Sequence, residues 1–319
     1  MPLTAAELAS AREVVGAQVP RTPSRRWPLL EAVTGTETWV KHENHNPTGA
    51  FKVRGGLCFV ARLLDSQPGV PGLVGATRGN HGQSMAFAGA VHGLPVTIVV
   101  PEGNSPDKNA AMAGFGADLV VHGHDFQAAR EHAGQLAAEQ GLVMVPPYHP
   151  WLAQGVATLA AELHEDVPGL DTIYAPVGMG SGICAQILVR DLLGVATEIV
   201  GVVSDRAPAY SLSFEAGAPV ATASADTFVD GVACRVPDAE AVSIINAGAA
   251  RIIAVSDDAV AAAMVTTYST THNLAEPAGA IALAGLLAER SLVRGKRVAV
   301  IQTGGNCDYD ILERVMKEH

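Results

Sequence analysis

The sequence predicts an α/β protein built on two open, twisted, mainly parallel sheets, each flanked by helices. Three observations carry this. Short apolar runs alternate with longer helix-like segments along most of the 319 residues. The alternation falls into two successive series, one for each sheet. Four loops at or beside these elements are rich in Gly, Asn and Thr, and parallel sheets hold their ligands beyond the carboxyl ends of their strands.

In chain order, Thr4 and Glu7 form a capping-box pair that opens an alanine-rich amphipathic segment. A basic start followed by an apolar run is lacking, so no secretory signal is expected. Thr38–Lys41 reads as a strand. A polar turn then becomes a helix at Lys52, with apolar positions at Val53, Leu57, Val60 and Leu64. The first series has strands at 72–77, 95–100, 117–121 and 142–145, each flanked by Gly or Pro, with helices at about 82–92, 105–114 and 125–140. The second has strands at 172–177, 199–203, 251–255 and 297–302, with helices at 183–193, 257–270 and 277–290. Boundaries near 71 and 148 divide the chain into a larger domain, 1–71 with 148–319, and a smaller one, 72–147.

Composition narrows the functions. At 48% hydrophobic and 17% charged, the chain is not a disordered one. Its formal charge of −11 and lack of a basic tract argue against nucleic acid or an anionic membrane surface as partner. No stretch of apolar residues is long enough for a transmembrane helix. Cys58, Cys184, Cys234 and Cys307 lie far apart, which argues against a disulfide framework or a zinc ribbon. His42/His45 and His122/His124 lack an accompanying acid or thiol cluster, so no metal site is expected. A cytoplasmic protein acting on a small molecule is the expectation.

Four loops carry the chemistry. In Asn46–Gly56, Lys52 sits at a helix start, where the positive end of the dipole disfavours a cation. It is either an exposed surface lysine or a deprotonated amine nucleophile. Thr77-Arg78-Gly79-Asn80-His81-Gly82 follows a strand and either caps the next helix or grips a carboxylate. Gly178-Met179-Gly180-Ser181-Gly182 precedes a helix and lets backbone approach a phosphate. The rival there is a dinucleotide fingerprint with Asp205 as the ribose acid, although its third glycine comes one position early and Ile183 takes the expected place. Thr303-Gly304-Gly305-Asn306 follows the last strand, as an ordinary turn or as part of a site.

In their order, these loops resemble the pyridoxal-phosphate enzymes of fold type II, in particular the serine/threonine dehydratase group. Phe51-Lys52-Val53-Arg54-Gly55-Gly56 is similar to that group's Ser-Phe-Lys-x-Arg-Gly-Ala motif, and Gly79-Asn80-His81-Gly82-Gln83 to its Gly-Asn-His-x-Gln loop. Gly178 to Gly182 resembles its phosphate loop, and Thr303 to Asn306 its Ser-Gly-Gly-Asn motif. Glu276-Pro277-Ala278-Gly279-Ala280 and Asp230-Gly231 fall where the group has comparable segments.

The resemblance implies a tryptophan-synthase-β-like fold with pyridoxal 5'-phosphate between a large cofactor-binding domain and a small substrate-gripping one. Lys52 would carry the cofactor as a Schiff base and then act as base at the substrate Cα. Phe51, Asn80, Gly178, Met179, Gly180, Ser181, Gly182, Glu276 and Thr303 would complete the cofactor site, with Asn80 at the ring hydroxyl and Thr303 at the pyridine nitrogen. Thr77, Arg78, Gly79, Asn80 and His81 would bind substrate.

The implied reaction is β-elimination from a β-hydroxy amino acid, L-threonine or L-serine first, giving a 2-keto acid and ammonia. 3-Hydroxyaspartate dehydration, racemisation and β-replacement are alternatives on the same fold, and a non-catalytic binding protein lies outside it. The family also implies a homodimer.

Four departures stand out. Ala50 replaces the usual serine, and Arg78 replaces Ser or Ala. Val203 and Ser204 stand where metal-activated members begin a cation site. Only 13 residues follow Asn306, so a C-terminal regulatory domain is not expected.

Overall fold

In a computed structural model describing residues 2–319, ten strands form two sheets. They are β1 (Ser24–Arg26), β2 (Glu37–His42), β3 (Leu73–Ala76), β4 (Val96–Val100), β5 (Asp118–Val121), β6 (Val143–Met144), β7 (Thr172–Pro176), β8 (Glu198–Ser204), β9 (Arg251–Val255) and β10 (Arg297–Gln302). One sheet runs β1-β2-β10-β7-β8-β9, parallel except for β1, and the other runs β5-β4-β3-β6 and is wholly parallel. The predicted pair of mainly parallel sheets is therefore what the chain forms.

Burial explains the order. All residues of β8 and β10 after the first are buried, as interior strands covered on both faces require. At one edge, β1 carries the charged Arg25 and Arg26, which discourage further strand pairing. Three polar residues give no strand signal of their own, which is why β1 is not legible in the sequence. Helix Pro150–Asp166 is similarly hidden: it is buried around most of its circumference, so it lacks a polar stripe.

The helix that starts at Lys52 spans Lys52–Ser66 and lies at the seam of the two sheets. Val53, Leu57, Val60 and Leu63 pack into the core shared with β3 and β4. Its other neighbour is Pro150–Asp166, approached so closely that a Cβ on Gly155 would stand 2.1 Å from the Arg54 carbonyl oxygen. Ser84 Oγ, from helix Asn80–His92, donates to the Lys52 carbonyl oxygen at 2.6 Å.

Below the first turn, the helix is anchored by charge. Arg54 is fully buried and donates to both Glu43 oxygens (2.8 and 3.1 Å) and both Glu162 oxygens (2.7 and 3.0 Å). Its fifth N–H, on Nη1, reaches the Thr158 hydroxyl at 3.1 Å, and Nη2 shares a hydrogen with the Thr22 hydroxyl at 3.2 Å. Lys41, also fully buried, donates to Glu162 Oε2 at 2.7 Å and to the Thr22 carbonyl at 2.8 Å. Two cations and two carboxylates thus neutralise each other with their hydrogen bonds filled, the condition under which buried charge is tolerated. Arg54→Ala strands Glu43 and Glu162 without their guanidinium, and urea unfolding is expected to show a loss of ~3–5 kcal/mol. A loss under ~1 kcal/mol, as for exposed pairs, would show that the cluster is solvated.

Candidate active site

A cleft with about 390 Å³ of empty space opens where the strand ends of the six-stranded sheet meet the starts of helices Lys52–Ser66 and Asn80–His92. Phe51, Lys52, Asn80, Gly178 to Gly182, Glu276 and Thr303 all line it. Residues more than 250 positions apart are brought together by backbone. The Phe51 N–H donates to the Thr303 carbonyl at 2.9 Å, Ala50 and Gly304 form an antiparallel bridge, and the Gly305 N–H donates to the Gly49 carbonyl at 3.0 Å. The first and fourth loops are therefore strapped together.

Lys52 is the first residue of its helix and is half-buried, with Nζ 5.0 Å from the centre of the Phe51 ring. Burial lowers its pKa, while Glu276 and Asp230 oppose the shift. An amine lowered in this way is a better nucleophile and proton acceptor near neutral pH. Lys41 is the other lysine nearby in sequence, and its ammonium is occupied by Glu162 away from the cleft.

Gly178 to Gly182 turns β7 into helix Ser181–Leu193. Gly180 has φ +102°, which glycine adopts without strain, and it leaves the helix with no side-chain cap. Uncapped N–H groups and the positive end of the dipole face the cleft, as a phosphate group requires. Tyr210 steadies the turn by donating from its hydroxyl to the Met179 carbonyl at 2.8 Å. The helix begins two residues before the expected Ile183, so Ser181 and Gly182 belong to its first turn. Ile183 is itself buried in the core, as the absent third glycine of a dinucleotide fingerprint would suggest.

Asn80 Nδ2 donates to Glu276 Oε1 at 2.7 Å, and Asn80 Oδ1 accepts from Asn306 Nδ2 at 2.8 Å. Asn306 also donates to the Thr48 carbonyl at 2.8 Å, tying three of the four loops. Thr303 Oγ donates to the Ala278 carbonyl at 3.1 Å. Glu276 is almost fully buried, and desolvation aided by Asp230 raises its pKa to about 8, against the pull of Lys108, Asn80 and Lys52. Burial and then Lys52 depress His81 to about 3, and its Nε2 has no partner among the described residues. His81 is accordingly neutral at pH 7, and burial favours the protonated form of Glu276. Gly231, Val232 and Ala278 line the cleft as well. Gly231 and Ala278 lie within segments that the motif order singled out and Val232 directly follows one, although their side chains offer no chemical signal.

The second loop departs from expectation. Asn80 and His81 are already the first two residues of helix Asn80–His92, because Gly79 rather than His81 ends the turn. Of Thr77 to His81 only Asn80 lines the cleft. Thr77 Oγ accepts from the Gly79 N–H at 3.3 Å, and Arg78 is exposed, with its positive charge felt at Asp125.

The pyridoxal-phosphate-dependent enzyme family matches residues 16–304. The chain belongs to that family. Its member in this chain is 33% identical over 300 residues to the biosynthetic L-threonine dehydratase of Salmonella typhimurium, covering 92% of this chain but 58% of that enzyme. This chain thus spans little more than half the length of that relative. It is 31% identical over 307 residues to the β-hydroxyaspartate dehydratase of Paracoccus denitrificans, covering 96% of this chain and 97% of that enzyme. In three dimensions it is similar to the processed form of threonine deaminase isoform 2 from Solanum lycopersicum, with a TM-score of 0.91 at 26% identity over 99% of this chain and 94% of that one. No helix among the described residues is long and apolar enough to cross a membrane.

Glu276 has a consequence for stability. Its folded pKa of about 8 lies above the unfolded 4.5, so its stabilising contribution is complete below pH 4.5 and is lost as the pH rises towards 8. In protein stripped of pyridoxal phosphate, Glu276→Gln is expected to flatten the decline in unfolding free energy across that window. Parallel pH profiles for the two proteins would mean that Glu276 is ionised in the fold.

Proposed function

We propose that this protein is an ammonia-lyase that removes the β-hydroxyl of a β-hydroxy amino acid, L-threonine or L-serine first, releasing a 2-keto acid and ammonia. The observation that carries this reading is the desolvated Lys52 amine, set in one cleft with an uncapped glycine-rich helix start and a neutral Thr303 hydroxyl. The cleft suits pyridoxal phosphate: N–H groups of the 178–182 turn for the phosphate, the second Nδ2 hydrogen of Asn80 for a ring oxygen, and Thr303 for the ring nitrogen. Bound there, the cofactor supplies an electron sink for the substrate Cα.

The chain's own residues do the rest. Lys52 Nζ would hold the cofactor and, once the substrate amine has displaced it, would be the free amine that accepts the Cα proton. Asn80 is held in one orientation by Glu276 and Asn306, because its carbonyl and amide are both engaged. Thr303 brings no charge to the ring nitrogen, so a long-lived carbanion is not favoured, and prompt loss of a β-substituent suits the site. By the resemblance Arg78 replaces the residue that serves a racemase as proton donor on the opposite face, and a guanidinium that is always charged is a poor one. Residues 72–147 act as a small substrate-gripping domain, and the chain works in the cytoplasm as a homodimer. Sedimentation is expected to give twice the 32.9 kDa chain mass.

Lys52→Ala is expected to abolish the visible cofactor band and to lower keto-acid release from threonine by several orders of magnitude. Near-normal turnover would move the chemistry to another lysine. Wild-type protein that stays colourless with pyridoxal phosphate would defeat the whole reading. Product chirality and thiol-acceptor assays separate the racemase and β-replacement alternatives.

A second substrate, 3-hydroxyaspartate, is carried by the position of Arg78 two residues before Asn80: it lies outside the cleft lining here, and a guanidinium that swung in would bond a second carboxylate. Arg78→Ala is then expected to lower kcat/KM for 3-hydroxyaspartate by ~1.5–3 kcal/mol in activation free energy, and to leave threonine untouched. An equal loss on both substrates assigns Arg78 to the α-carboxylate, and no loss on either removes it from the site.

A further inference from the structure

The four-stranded sheet meets the cleft through one more element, helix Pro106–Gly114, which lies between β4 and β5. Lys108 in its first turn is 8% exposed, and its Nζ donates to Asp230 Oδ2 at 2.6 Å and lies 3.5 Å from Asp308 Oδ2. Ser105, the N-cap of the same helix, donates to Asp308 Oδ1 at 2.6 Å. Both acids belong to the other side of the cleft. Asp230 adjoins the cleft-lining Gly231, and Asp308 follows the loop of Thr303 to Asn306. The stem of Lys108 crosses the turn between them, since a Cβ on Gly79 would stand 3.0 Å from Lys108 Cδ.

We propose that Lys108 is a positioning residue, a latch whose stem presses the Gly79–His81 turn towards the cleft while its ammonium and Ser105 bind the two acids opposite. Two features separate this from an ordinary surface pair. Lysine is seldom so buried unless paired, and here two carboxylates share it. The turn beneath it also holds Asn80, whose bonds to Glu276 and Asn306 cross the same gap. Released from Lys108, that turn keeps across the gap only the bonds of Asn80, besides local ones from Thr77, Gln83 and Asn104. The ammonium is already satisfied by the protein, so its task is to hold the turn and not to bind a substrate carboxylate. As far as it concerns catalysis, this inference rests on the function proposed above. The mobility of the turn does not.

The test uses the pyridoxal-phosphate-loaded enzyme and two readouts. Amide hydrogen exchange reports local opening, and in Lys108→Met residues 77–83 are expected to exchange at least about tenfold faster, as the loss of a hydrogen bond to a charged group allows. Exchange within β7 and β10 should stay unchanged. Lys108→Arg, which can reach both acids, is expected to restore protection. On threonine, Lys108→Met is expected to raise KM about tenfold or more, with a smaller change in kcat and an unaltered visible cofactor band. Unchanged exchange at 77–83, or acceleration spread evenly over the chain, would overturn the latch. If Lys108→Met does not fold, Asp308→Asn replaces it, with a smaller acceleration expected in the same segment and the same result overturning the proposal. Should threonine not be a substrate, the exchange data still decide on the latch, and the proposed reaction fails on its own.

Discussion

The site depends on where one helix begins. Lys52 opens the helix, and two residues later Arg54 is sunk among Glu43, Glu162, Thr22 and Thr158 with every donor used. A planar guanidinium bonded in this way admits few alternative positions. Helix Pro150–Asp166 pressing at Gly155 and Ser84 bonding the Lys52 carbonyl fix the remaining freedom. Such a charged cluster is not the cheapest way to stabilise a protein, since an apolar replacement often does as well. What it supplies is register. A helix displaced by one residue would carry Val53 rather than an amine into the cleft.

Around that amine the protein keeps formal charge low. Glu276 and His81 are pushed towards their neutral forms by burial, and Thr303 is a hydroxyl that already donates to Ala278. Lys52 is itself shifted towards the free base. The positive potential comes from backbone, at the start of helix Ser181–Leu193, since the Lys108 ammonium is offset by Asp230 and Asp308. Backbone donors are fixed before ligand arrives, so little reorganisation is needed when an anion binds.

Much of this was legible in the sequence, for identifiable reasons. Interior strands such as β8 and β10 are continuous apolar runs and read directly. The four loops read as motifs because glycines, a lysine at a helix start and paired amides are unusual in such places. Legibility failed where the cause is tertiary. β1 exists because β2 offers it an edge, and helix Pro150–Asp166 has no polar stripe because it is covered on most sides. Which residue of the second loop faces the cleft was hidden too, since that depends on the helix starting at Asn80. Nothing at Lys108, Asp230 or Asp308 taken singly announces that they meet, being separated by 122 residues in one pair and lying on three separate helical elements or their ends.

Strand β10 lies between β2 and β7 although it follows both in the chain, so the six-stranded sheet is completed by a segment that leaves the ribosome after its two neighbours. Until it arrives, β2 and β7 expose facing rows of unpaired backbone groups, and the strap between Phe51 and Thr303 cannot form. A nascent chain of this design therefore carries a split sheet and an unfinished cleft until β10 emerges. Its edges during that time are open to pairing with other chains. Cofactor capture is consequently coupled to the closing of the sheet by β10.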